Sequence, residues 1–224
     1  MAGDGILANT PITGGYQQIY TDLIQELQQA DIAALATALG LALNPAGEAQ
    51  VPFLGARYLL SNDGVKRADG RGFRHVTGSA LIRYLLTGSR SRPAGEFVTF
   101  AELAGPLFGQ GGYSGSALEQ PIRKRFQGQT PELLRVAASL GGRLGGVGGL
   151  GSVSLLFDLL PHIQLQLIFY DRDEEFPARA TLLFDRNATK LLDFETLAVL
   201  VTVFVNYLTK GDNQAPDSEA SGEA

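Results

Sequence analysis

Between Leu160 and Asp185 the chain reads LPHIQLQLIFYDRDEEFPARATLLFD, and this stretch holds its densest set of groups able to do chemistry. Asp171, Asp173, Glu174 and Glu175 put four carboxylates into five residues around Arg172. Carboxylates this close offer hard oxygen ligands to calcium or magnesium, or an acid and a base if their surroundings differ. The calcium spacing fails, because a loop opening at Asp171 wants glycine where Phe176 stands and glutamate where Leu182 stands. A solvated acidic turn is the expectation, with Glu175, beside Phe176, as a partly buried base or an arginine's partner. His162 precedes the same strand, so Glu175 or Asp173 with His162 forms one candidate acid–base site. Following Pro161 at a strand start, His162 has a hydrogen-bonded structural role as its ordinary use.

Composition removes several chemistries. The chain has no cysteine, which excludes thiolate metal sites, iron–sulfur ligation, disulfides and cysteine nucleophiles within it. His75 and His162 are its two histidines, too few for a zinc site without carboxylate help. No metal site is expected, and composition names no cofactor. No nucleophile elbow of the G-x-S-x-G kind occurs. Gly146, Gly148 and Gly151 match G-x-G-x-x-G, but a helical pattern precedes them and a strand-like one follows, the reverse of a dinucleotide fingerprint. They read as a turning connector.

The net charge of -5 is unevenly spread. From Arg57 to Arg92 eight Lys or Arg face Asp63 and Asp69, a local +6 that leaves -11 elsewhere. Such a segment can gather an anionic ligand or an acidic partner, or be a solvated face paired with the acidic remainder. Arg57, Tyr58 and His162 are the candidate ligand contacts, in a pocket between the glycine-rich connector, the hairpin and the basic segment. Nucleic acid is not an expected partner: Arg123-Lys124-Arg125 adds basic residues, but aromatic interleaving is sparse and the pI is about 5.1.

The elements that must position these residues follow from periodicity. Ile163, Leu165, Leu167 and Phe169 alternate with polar residues, as do Ala178, Ala180, Leu182 and Phe184, so an antiparallel hairpin with an acidic tip is predicted. Tyr16, Ile19, Tyr20, Leu23, Ile24 and Leu27 form the stripe of an amphipathic helix. Asp31 caps a second helix ended by Gly40. Val51 to Ser61 reads as a strand, with a turn at Asn62-Asp63-Gly64. Thr77 or Ser79 caps a helix ended by Gly88, Thr99 caps a short one, and Gly109 to Gly115 links to a helix containing Pro121. Thr130 and Pro131 open another helix, and Asp193 opens a long C-terminal one. Residues 1–15 are expected to be a flexible arm, 16–210 one globular domain, and 211–224 a disordered acidic tail. The most apolar run, Leu197 to Val205, is far short of the ~20 residues of a membrane span, and no leader is evident, so a cytoplasmic location is expected. Hairpinned strands and separate helices imply an α+β fold, a single domain with a mainly antiparallel sheet covered by helices.

Phe53-Leu54-Gly55-Ala56-Arg57-Tyr58, Leu160-Pro161, Asp173-Glu174-Glu175-Phe176-Pro177-Ala178 and Leu183-Phe184-Asp185 together resemble the pattern of an uncharacterised prokaryotic family, domain of unknown function 3786. The resemblance runs from about Tyr16 to Leu208. It implies an anaerobic one-carbon, corrinoid or redox context, since some members are fused to a four-cysteine iron–sulfur module that this chain lacks. It implies no catalytic residues, as the family has no assigned activity. Three functions follow as expectations: a non-catalytic ligand-binding or accessory module, an enzyme using the carboxylate and His162 pair, or an interaction subunit whose C-terminal helix meets a partner.

Overall fold

The computed structural model describes residues 13–105, 115–146 and 148–211. Within them the fold is α+β, with two antiparallel sheets and helices against them. Helices α1 (Thr13–Gln28) and α2 (Ile32–Leu39) come first. Asp31 accepts a hydrogen bond from the Ala34 amide and Gly40 ends α2 at φ 70°, so both helix boundaries follow from local side-chain chemistry. Strands β1 (Ala49–Phe53), β2 (Ala56–Ser61) and β3 (Gly64–Arg67) then form a three-stranded meander. The expected single strand from Val51 to Ser61 is thus two, broken at Leu54-Gly55.

Helix α3 (His75–Thr87) starts at Arg74, which makes no side-chain cap. Thr77 and Ser79, expected as caps, lie inside the helix and are buried, because the apolar neighbours Val76 and Ala80 draw that turn into the core. Strand β4 (Phe97–Thr99) runs into α4 (Phe100–Ala104), where Thr99 and Glu102 form a reciprocal capping box. Helix α5 (Gly115–Phe126) carries Pro121 internally, and α6 (Thr130–Ser139) follows. Thr130 does not cap α6, since its hydroxyl donates instead to Asp171 at 2.7 Å. The expected Gly109 link, the arm before Thr13 and the tail after Gly211 lie wholly or largely outside the described residues.

Strands β5 (Arg143–Leu144), β6 (Ser152–Leu160), β7 (Ile163–Tyr170) and β8 (Arg179–Asp185) join β4 in a five-stranded antiparallel sheet of order β4-β8-β7-β6-β5. Alternation aims Leu155, Phe157, Leu165, Leu167, Phe169, Leu182 and Phe184 at one face, where all are buried. Helices α5 and α7 (Phe194–Lys210) pack on that face, with Phe157 edge-on to Phe204 at 4.8 Å between ring centroids. Each such side chain contributes about 1.5–3 kcal/mol by leaving water. Asp193 caps α7 through the Thr196 amide at 2.8 Å. The three-stranded sheet meets the larger one where β1 lies beside β6.

Candidate functional site

Leu54 and Gly55 are the two residues between paired Phe53 and Ala56, and both have left-handed backbones, φ 47° and 77°. This is the two-residue hairpin geometry that asparagine and glycine usually supply. A left-handed leucine costs about 1–2 kcal/mol, but burying its side chain returns about 1.5–3, and Leu54 is 5% exposed. Burial therefore decides the turn. Gly55 has no such freedom, because a Cβ there would sit 2.4 Å from the Ser139 carbonyl oxygen. The hairpin tip is thereby seated on the C-terminal end of α6.

A cleft of about 300 Å³ opens beside this contact, lined by Phe53, Leu54, Arg57, Leu140, Gly141 and Asp158 among others. Asp158 stands at a bulge in β6, and its oxygens accept from Arg143 at 2.7 Å and from Gln164 at 2.9 Å. That carboxylate is already neutralised. Arg57 is exposed on the cleft's rim and pairs with no carboxylate among the described residues. The site is thus an apolar recess with one free guanidinium and one satisfied ion pair. Other members of the basic segment are occupied: Arg67 and Arg71 both grip Asp69 at 2.8 Å, and Lys66 meets Glu48 at 2.8 Å. The Arg67 and Arg71 hydrogen bonds hold the Asp69 carboxyl far below the usual carboxylate range.

The matched sequence span decides the identification. A family model, domain of unknown function (DUF3786), matches residues 31–207. The chain belongs to this family. The match begins at the cap of α2 and ends inside α7, so among the described residues it takes in strands β1 to β8 and leaves α1 outside. No curated protein and no solved structure matches the chain.

In this DUF3786 chain the other candidate residues fall elsewhere. Tyr58 follows Arg57 on β2 and so points to the opposite sheet face, where it is fully buried. Its ring packs edge-on to Phe53 and Phe73, with the Arg67 guanidinium 5.7 Å away over its face. It is a core residue and cannot share a ligand with Arg57. His162 occupies the second position of the β6–β7 turn at φ 69°, and its Nε2–H donates to the Leu39 carbonyl at 3.2 Å. The Tyr84 hydroxyl donates to the neighbouring Pro161 carbonyl at 2.8 Å, and burial pushes that phenol well up. Both contacts pin the turn onto the ends of α2 and α3, and Arg92 Nη2 stands 3.9 Å from the same point beside Gly40 as His162 does. A cation at a helix C-terminus is favourable there.

Asp173 and Glu175 sit beyond the far end of β7 from His162, roughly 23 Å along eight residues of strand. The acid–base pair is not assembled, and Glu175 is exposed rather than partly buried. Asp173 instead accepts from the Glu175 and Phe176 amides at 2.9 and 2.7 Å, folding the tip on itself. Asp171 accepts from Gly128 and Thr130; partial burial pushes its carboxyl up, these hydrogen bonds outweigh it, and the balance lies low. Among the described residues no group of three or more His, Cys, Asp or Glu could hold a metal, and no helix is long and apolar enough to cross a membrane. Gly146 and Gly149 fold over Gln166 and Tyr170 on the sheet's outer face, with Ser154 Oγ donating to the Gly145 carbonyl. Sequence reasoning missed Asp185 and Leu54. An aspartate closing a strand just before a polar turn was the available signal for the first, and nothing local marked the second.

Proposed function

We propose that this protein is a non-catalytic binding module whose cleft between the β1–β2 turn, the end of α6 and β6 takes a small anionic ligand. The observation that carries this reading is Arg57, an unpaired guanidinium on the rim of a recess whose carboxylate, Asp158, is already paired with Arg143. At about 300 Å³ the cleft is at the lower end of small-ligand sites. Arg57 takes the anion by charge-assisted hydrogen bonds, and Pro52, its cross-strand partner, with Leu54 and Leu140 covers an apolar portion. Small carboxylates and phosphates of one-carbon and redox metabolism form the first panel, because that is the context the family resemblance suggests. Ligand-detected NMR is expected to find a saturable binder whose affinity drops at least about tenfold in Arg57→Ala. No saturable binder in the panel, or one equally well bound by Arg57→Ala, overturns the reading.

A second reading, docking to a protein with a basic-rimmed apolar pocket, draws on Phe176. This side chain is 63% exposed on a turn locked by Asp173, between Glu175 and Pro177. Helix α7 does not serve that reading, since its large apolar residues are spent on the core.

A further inference from the structure

A second recess, about 110 Å³, lies where α1, α3 and the start of α7 meet. Tyr16 and Ile19 of α1 roof it, and Val76, Ala80 and Val199 form its apolar wall. Ser79, also lining it, is 4% exposed, and its hydroxyl makes no hydrogen bond with any described residue. A buried hydroxyl without a partner is uncommon, because it gives up its hydrogen bonds to water. Arg83 stands one helical turn further along α3, on the same face. Its Nη1 is 4.0 Å from Asp193 Oδ2, too far for a hydrogen bond, so the two charges face each other across the mouth without closing it. Asp193 and Glu195 contribute two carboxylates from the α7 side.

Charge selects the ligand. A simple anion meets Asp193 and Glu195 as repulsion, and a simple cation meets Arg83. A neutral molecule leaves both charges unused. The volume corresponds to about four water molecules. From this geometry we infer that the recess binds a small zwitterion with the head group of an α-amino acid. The carboxylate lies against the Arg83 guanidinium and the Ser79 hydroxyl, both from α3. The ammonium lies against Asp193, whose oxygens accept from Thr196 and retain lone pairs for a further donor. Val76, Ala80 and Val199 leave room for hydrogen, methyl or hydroxymethyl as the side chain.

The test is calorimetric titration of the full chain with glycine, L-alanine and L-serine, beside acetate and ethylammonium as single-charge controls. Saturable binding of at least one amino acid is expected, with neither control binding. Ser79→Ala and Arg83→Gln, each shown by circular dichroism and melting to be folded, are each expected to weaken it at least tenfold. Arg57→Ala is expected to leave it unchanged, which separates this site from the cleft. Absence of amino-acid binding, binding of a single-charge control as tight as that of the amino acids, or affinities unmoved by both α3 variants would each overturn the inference.

Discussion

Asp185 shows what one carboxylate can organise. It is completely buried, and its oxygens accept from the Ala94, Gly95 and Asn187 amides at 2.8–2.9 Å. Two of these donors, Ala94 and Gly95, tie the 89–96 loop to the end of β8, the third closes the turn after it, and Arg186 with Glu96 adds a bidentate pair outside. Replacing Asp185 by alanine strands three donors, and a loss of about 3 kcal/mol is expected. Urea denaturation measures it, and trypsin adds an independent readout, because a released loop opens the Arg90–Ser91 bond to cleavage. Unchanged stability with faster cleavage would mean that the loop, not the sheet, depends on Asp185. The sequence singled this residue out only as the end of an L-F-D element. Its role was illegible because two of the three groups it holds are about ninety positions away.

Element boundaries divide along the same line. Asp31 and Gly40 at the two ends of α2, Thr99 with Glu102, and Asp193 with Thr196 act within a few residues of themselves, and all four helix boundaries could be read in advance. Thr130 and Ser79 carry the same local chemistry, yet contacts from distant elements redirect the one and bury the other. The same limit hid the split of β1 from β2, where a leucine occupies a position that local preference reserves for asparagine or glycine. The candidate site was legible in part: Arg57 beside the glycine-rich connector emerged from charge and composition. Separation of Tyr58 and His162 from it needed strand register. Gly55→Ala tests the seating of the turn, since its methyl meets the Ser139 carbonyl head-on in a left-handed backbone. A loss of at least about 2 kcal/mol is expected in thermal or urea unfolding, together with loss of ligand binding in the cleft. A neutral outcome would show that the hairpin and α6 part easily.

For the molecule as a whole, acid is the revealing variable. Asp171 and Asp193 are pushed up by partial burial, but hydrogen bonds to each outweigh it and both lie low. A carboxyl whose folded value is depressed gives stability that is present above its unfolded value and is lost as pH falls. Urea midpoints are therefore expected to be flat from about pH 7 to 5 and to fall below about pH 4. A midpoint that rose on acidification would contradict this. Exposed pairs such as Arg186 with Glu96 add little to the profile. Glu119 runs the other way, because burial pushes its carboxyl up despite the Leu182 amide and Arg123.

That glutamate also answers a problem that every open sheet has. Beside Arg179–Leu182, β4 has already ended, and the outward Leu182 amide donates to Glu119 Oε1 at 3.1 Å. An extended segment from a neighbouring molecule would need that same amide as its first rung. With a side chain of helix α5 lodged there, that amide is already taken, and on this edge a newcomer's strand would first have to displace Glu119.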